Sequence, residues 1–500
     1  MRRWTSLLVL LATGLAGVVA LVMEVAGAQA LAPGFGTGLN AWGAMISVTL
    51  GFMACGYVAG GSIADQRPDR ARRILTSALA LAAAGCVADA LFWKDMVLGL
   101  ASLGFRLGAV VSAVALFGLP LMVLGAVYPL AVKARTRTLG EVGRSVGWLS
   151  ASSAAGSLLG AALAGFVLVP SLAIESVFAA CGAALLLGAA GINLAGRGGK
   201  PVAAVLALLA ILPLAMPGRG LPPGLLCRRG SLFGPIEVWQ SGLIRYLMVA
   251  RTCQGIGLGE PPVSFLPHVS VISKTVGANL RPGQGEVLLI GLGAGFLPRS
   301  LETPTARTGG WGPLPVRCQT VEIDPAILDV ATRYFAFDPV RHPVHIADGR
   351  AFLLANPTRY QAIIIDAFGG LDLPYHLFTR ECFALARQRL TADGLLIINY
   401  EGFLDGDGNR LVQSLERTLR SVFAEVEIYV NEKQAGYGNV IFAAHGRGAV
   451  VEWPQEPEYR ARQTFLAGEL GVVLTDSRNP ISLWSARMEG PHRSLFQDSN

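Results

Sequence analysis

The stretch Val287-Leu288-Leu289-Ile290-Gly291-Leu292-Gly293-Ala294-Gly295 decides how the second half of this chain folds. Four consecutive apolar residues suit a strand buried on both faces, and the alternating glycines suit a sharp strand-to-helix turn. Pro298 follows within the first turn of the expected helix, where its missing N–H is tolerated. Working outward, further strands are expected at 318–323, 344–347, 362–366 and 395–399. EVEIYV (425–430) and NVIFAAH (439–445) come after a helix at 408–423. Strands alternating with helical stretches predict a doubly wound α/β domain with a parallel sheet. The glycine turn by itself is compatible with ligand binding or with tight packing.

In such sheets ligands sit beyond the carboxyl ends of the strands, and the polar residues of this half fall there. Glu322 and Asp324 in VEIDP end the second strand, Asp348-Gly349 end the third, and Asp366 in IIIDAFGG ends the fourth. A carboxylate at Glu322 can accept both hydroxyls of a ribose. Asp324 before Pro325 also fits a helix N-cap, a role that does not account for Glu322. Asp348 supplies an acceptor for an exocyclic adenine amine. A GxGxG rather than GxGxxG loop, without a phosphate-cradling lysine, favours an adenosyl ligand over a dinucleotide.

The first 217 of the 500 residues have a different character: long apolar runs at about 5–30, 40–63, 74–93, 108–132, 146–169, 172–194 and 201–216. Each is measured against the ~20 residues that span hydrocarbon. Six are long enough; the seventh is short and contains Pro213. The first is read as a span rather than a cleaved signal, since its core is long and Glu24 follows without a cleavage site. The net charge of +7 is largely topological, because basic residues gather in alternate connecting segments: Arg2 and Arg3, Arg67 to Arg73, Lys133 to Arg144, and Arg197 with Lys200. That pattern puts the N-terminus and every second loop on the cytoplasmic side and argues against a nucleic-acid footprint. Whether 201–216 crosses decides the side of the globular half.

Seven scattered cysteines and six histidines show no CxxC and no metal-ligand spacing, so neither a disulfide framework nor a metal site is expected. Small-residue spacings such as Gly156-Ser157-Leu158-Leu159-Gly160 fit helix packing within one bundle, with a homodimer left open. Glu24, Asp89 and Glu175 lie in or near the spans, and Glu24 is the candidate for an intramembrane role.

From Ser231 to His445 the chain resembles the polyamine aminopropyltransferases, the spermidine synthase family, through VLLIGLGAG, VEIDPAIL, HIADGRAFL, YQAIIIDAF and LPYHLFTRECF in that order. The resemblance implies a methyltransferase-like Rossmann domain at 281–450, preceded at 218–280 by a linker and a small β-hairpin subdomain and followed by an extension at 451–500. A multi-span domain ahead of such a synthase is a known bacterial arrangement, which implies a multi-pass protein of the bacterial inner membrane lying in the lipid bilayer. It further implies that Gly291, Gly293, Gly295, Glu322, Asp324, Asp348, Gly349 and Gln254 hold decarboxylated S-adenosylmethionine. Asp366 would be the catalytic carboxylate that takes a proton from an attacking small-molecule amine, with 5′-methylthioadenosine released. His268 and Tyr375 would line the amine site, and His376 lies in the same loop.

Two family acids are missing. Ala294 stands in the glycine loop and Gly369 stands three residues beyond Asp366, both at positions that normally hold cationic amines; Asp372 or Glu401 are the candidates to replace them. Two other readings remain open on the residues alone: a methyltransferase using intact S-adenosylmethionine, and a membrane transporter or sensor that binds an adenosyl or polyamine ligand without turnover. Because either adenosyl compound is made in the cytosol, the globular half is expected to be cytoplasmic.

Overall fold

The structure is a computed structural model that describes residues 2–35, 39–136, 138–194, 205, 222–231, 233–250, 252–260, 263–280, 285–302, 316–367, 373–434, 436–446, 451–466 and 471–481. Contacts divide the chain into two compact units, Met1–Gly220 with Arg229–Gly234, and Leu221–Arg228 with Pro235–Asn500.

In the first unit, six helices among the described residues are long and apolar enough to cross a membrane: Ser6–Phe35, Ala41–Gln66, Pro68–Leu103, Leu107–Arg135, Val142–Leu168 and Ile174–Leu194. The run at 201–216, Val205 apart, lies outside the described residues. Small residues let these helices touch backbone to backbone. A Cβ on Gly156 would sit 1.9 Å from the Gly14 carbonyl oxygen, and one on Gly56 2.0 Å from that of Met122. The Gly156–Gly160 spacing is thus used within the bundle, as helix packing in lipid requires. Asp89 is the most buried carboxylate among the described residues there, at 3% exposure, with its Oδ2 lacking a hydrogen-bond partner among them. Glu24 is half-buried.

The second unit begins with a four-stranded sheet in the order β1 (Leu225–Arg229), β2 (Ile236–Ser241), β3 (Ile244–Val249), β4 (Thr252–Leu258), the last three antiparallel. A second sheet holds β5 (Gly285–Ile290), β6 (Val316–Glu322), β7 (Val344–Ile346), β8 (Tyr360–Ile365), β9 (Leu390–Phe403), β10 (Glu425–Gln434), β11 (Tyr437–His445) and β12 (Arg460–Arg462). Their spatial order is β12-β10-β11-β9-β8-β5-β6-β7.

From β9 to β7 the pairing is parallel, but β11, β10 and β12 join antiparallel, so the sheet is mixed rather than purely parallel. The cause is local. β10 and β11 are joined through a tight turn at Gly436, which has φ +73°, and a hairpin can only be antiparallel.

Side chains alternate across this sheet. Val287, Leu289, Ala362, Ile364, Leu395 and Ile397 pack into one core with residues of the helices Pro267–Asn279, Phe296–Glu302 and Pro325–Tyr334. Leu288, Ile290, Ile363, Ile365, Leu396 and Ile398 pack into another with the helices Arg380–Arg389 and Arg410–Arg420. Burial on both faces explains the uninterrupted apolar runs in the sequence.

Candidate active site

β5 lies between β6 and β8, so the chain leaves β5 toward one side and returns on the other. That reversal opens a crevice at the carboxyl ends of β5 and β8. Gly291 N–H donates to the Val321 carbonyl at 2.9 Å, and Asp366 N–H donates to the Ile290 carbonyl at 2.9 Å. The glycine turn and the end of β8 are therefore in direct backbone contact.

The three glycines of the turn have separate reasons. All have positive φ, at +103°, +55° and +74° for Gly291, Gly293 and Gly295. A Cβ on Gly291 would lie 2.1 Å from the Asp366 carbonyl oxygen, and one on Gly295 2.5 Å from the Phe337 ring. Those two are demanded by packing. At Gly293 the nearest neighbour among the described residues is the Gln254 carbonyl oxygen at 3.4 Å, so among them the turn demands only the left-handed conformation and leaves room beside it. Gln254 and Gly255 of β4 run over the turn, and a Cβ on Gly255 would meet the Ala294 methyl at 2.6 Å. Ala294 is buried in that contact, which is what occupies the place of the missing acid.

Glu322 ends β6 with both carboxylate oxygens in use. Leu292 N–H donates to Oε2 and Asp324 N–H to Oε1, each at 2.9 Å. Burial pushes its pKa up to about 6, against those backbone donors. The carboxylate ties the glycine turn to the next strand end, and each oxygen keeps a second lone pair for a ribose hydroxyl. Asp324 caps the helix Pro325–Tyr334 through Ala326 N–H at 2.9 Å, the role its place before proline predicts.

Asp348 likewise caps the helix Gly349–Ala355, taking Ala351 N–H on Oδ1 at 2.8 Å. Its Oδ2 lies 2.6 Å from His376 Nε2. Burial opposes its ionisation, but the Ala351 N–H and the imidazole outweigh it and hold the carboxyl below the usual range. A Cβ on Gly349 would stand 2.4 Å from Ile290, so this glycine lets the helix start against the end of β5.

Asp366 is held at both oxygens' sides. Asn399 Nδ2 donates to Oδ1 at 2.8 Å, and His268 Nε2 stands 4.0 Å from Oδ2. His268 is the second residue of the helix Pro267–Asn279, whose amino end is favourable for a carboxylate. Both side chains are largely buried.

Tyr375, 56% exposed, makes an edge-to-face contact with His376 at 5.7 Å, and its carbonyl accepts from Asn479 Nδ2 at 2.8 Å. Arg350 makes a two-pronged pair with Asp476 at 2.7 and 2.6 Å, so the segment 471–481 braces this loop. His376, grouped by sequence with the amine loop, is placed against the Asp348 carboxylate instead. Glu401 is two residues beyond Asn399 on the same face of β9 and pairs across the ladder with Asn439. Gly369 and Asp372 lie outside the described residues. Asn399 was visible only as the last residue of LLIIN, with no signal that it would meet Asp366.

Residues 270–443 match the family model described as the spermine/spermidine synthase domain. The chain is similar to a probable polyamine aminopropyl transferase of Bifidobacterium longum, 31% identical over 254 residues, 44% of this chain and 55% of that protein. A polyamine aminopropyltransferase of Vibrio vulnificus is 30% identical over 176 residues, 34% of this chain and 54% of that one. An N-terminal histidine N-methyltransferase of Emericella nidulans is 29% identical over 198 residues, 38% of this chain and 33% of that one. The chain spans about half the length of the two aminopropyltransferases.

Proposed function

We propose that this chain is a membrane-bound aminopropyltransferase that moves the aminopropyl group of decarboxylated S-adenosylmethionine onto an amine. The observation that carries the reading is Asp366 at the switch point, with Asn399 on one oxygen and His268 facing the other, beside Glu322, Asp348 and the glycine turn. The open side of Gly293 and the spare lone pairs of Glu322 fit an adenosyl group.

In this reading Glu322 holds the ribose hydroxyls, Asp348 accepts from the adenine amine and Gln254 closes the site from β4. The amine nitrogen donates its lone pair to the carbon beside the sulfonium. That carbon–sulfur bond breaks with its electrons going to sulfur, and neutral 5′-methylthioadenosine leaves. The proton lost from nitrogen goes to Asp366. An amine is mostly protonated at neutral pH, so a carboxylate that orients it and takes the proton supplies ~10²–10⁴-fold. In-line positioning of the two reactants supplies much of the rest. With Ala294 packed against Gly255, Asp372 or Glu401 would take a distal ammonium and select the acceptor amine in this reading.

Incubating the detergent-solubilised chain with decarboxylated S-adenosylmethionine and a panel of amines tests it. Methylthioadenosine that depends on Asp366 is the expected product. The likeness to a methyltransferase and the loss of the glycine-loop acid favour one second reading, methyl transfer from S-adenosylmethionine, and adenosylhomocysteine would identify it.

The synthase domain is assigned to the cytoplasmic side of the inner membrane, where its co-substrate is made. Half-buried Cys227 and Cys253 should then react with a membrane-impermeant thiol reagent only after lysis. Reaction in intact cells would put the domain outside.

A further inference from the structure

A chain of hydrogen bonds runs from the end of β8 through two other strands to the segment after β11. Tyr459 Oη donates to Asn439 Oδ1 at 2.8 Å, Asn439 Nδ2 to Asn399 Oδ1 at 2.7 Å, and Asn399 Nδ2 to Asp366 Oδ1 at 2.8 Å. Tyr459, Asn439 and Asn399 are 6%, 1% and 3% exposed. We propose that Asn399, Asn439 and Tyr459 are positioning residues that orient the Asp366 carboxylate and direct its proton uptake to Oδ2.

The direction of the chain follows from its end. An ionised carboxylate only accepts, so Asn399 must turn its NH2 to Asp366 and its carbonyl to Asn439. Asn439 must then turn its own NH2 to that carbonyl, which leaves its oxygen for the tyrosine hydroxyl. Three donors aligned one way polarise one another and strengthen the last bond, the one to Oδ1. Density on Oδ1 is then engaged, and Oδ2, on the side of His268, is the oxygen that meets the amine proton.

The source of the chain is rigid. The Tyr459 ring stacks on Tyr429 at 5.3 Å, Tyr429 stacks on Trp453 at 4.8 Å, and Tyr429 Oη donates to the Pro454 carbonyl at 2.6 Å. Burial raises the pKa of the Tyr459 hydroxyl, so it remains a donor throughout the neutral range. Packing alone does not call for this arrangement. Apolar side chains would fill the same sites between β9 and β11 without the cost of burying two amides and a hydroxyl, a cost met only while every member is satisfied.

The inference rests on the aminopropyl-transfer reading, and the test separates the two. Asn399→Asp is isosteric but faces Asp366 with a second carboxylate. It should lower kcat at least ~10-fold with little change in KM, and should move the acid limb of the pH–rate profile upward, because neighbouring carboxylates share a proton. Tyr459→Phe removes only the hydroxyl and should lower kcat ~3- to 10-fold with a smaller shift of the same sign. Wild-type kcat and pH profile in Tyr459→Phe, even with a lowered melting temperature, would reduce the chain to packing and overturn the inference. If the wild type forms no methylthioadenosine with any amine, the functional reading fails instead. The relay is then read by infrared difference titration of Asp366, wild type against Asp366→Asn: an upward shift of its midpoint in Tyr459→Phe supports it, and an unchanged midpoint refutes it.

Discussion

Replacing Glu322 with glutamine separates what this carboxylate costs the fold from what it gives a ligand. Burial raises its pKa from an ordinary 4.5 to about 6. A carboxyl raised on folding stabilises fully below the unfolded value, and that contribution disappears as pH rises through the folded one. The shift of about 1.5 units corresponds to ~2 kcal/mol lost between pH 4.5 and 7. Glutamine removes this dependence but offers one acceptor where Leu292 and Asp324 N–H need two, at a cost of ~1–3 kcal/mol. The two effects nearly cancel at pH 7, so Glu322→Gln should unfold in urea within ~1 kcal/mol of wild type there and be clearly less stable near pH 4.5.

Binding should respond otherwise. Two charge-assisted bonds to ribose, at ~1.5 kcal/mol or more each, imply a loss of ~100-fold or greater for methylthioadenosine. Wild-type affinity should fall as pH drops below about 6 while the variant's stays flat. Titration calorimetry on the solubilised full chain at pH 5, 6 and 7 measures both. Wild-type affinity independent of pH over that range, with the variant parallel to it, would refute Glu322 as the ribose acceptor.

Asp366→Asn should lower turnover by ~10²–10⁴ while methylthioadenosine binding changes only a few-fold, as initial rates and calorimetry would record. Asp348→Asn keeps an equally good cap on Ala351 N–H, so the melting temperature should hold while nucleoside affinity falls ~10-fold. Gly291→Ala puts a methyl against the Asp366 carbonyl at a strained φ, and should cost ~1–3 kcal/mol of stability together with turnover. Thermal denaturation and product release measured on the same preparation report both losses.

Much of the site was legible before folding because it is built at strand ends. The buried apolar run of β8 puts its first polar residue, Asp366, at the carboxyl edge, and Glu322 and Asp348 stand at the ends of the β-rich runs of β6 and the edge strand β7. Asp324 was legible as a cap for the same local reason. What was hidden came from residues far apart in the chain. His376 reaches Asp348 across 28 positions, and Asn399 reaches Asp366 across 33. The antiparallel half of the sheet was missed because EVEIYV and NVIFAAH have the composition of any buried strand, and strand direction is not a property of composition.

By itself, then, the sequence determined an apolar multi-helix half, an α/β half and the acids at its strand ends, since each depends on periodicity over a few neighbouring residues. Only the tertiary structure decided that Gly291 and Gly295 serve packing while Gly293, among the described residues, meets nothing nearer than the Gln254 carbonyl oxygen. The same is true of Asp89, rather than Glu24, as the buried acid of the helical bundle, and of the Asn399, Asn439 and Tyr459 chain behind Asp366. These are contacts between elements distant in the chain, set by strand order and helix register, and no local pattern encodes which side chains those bring together.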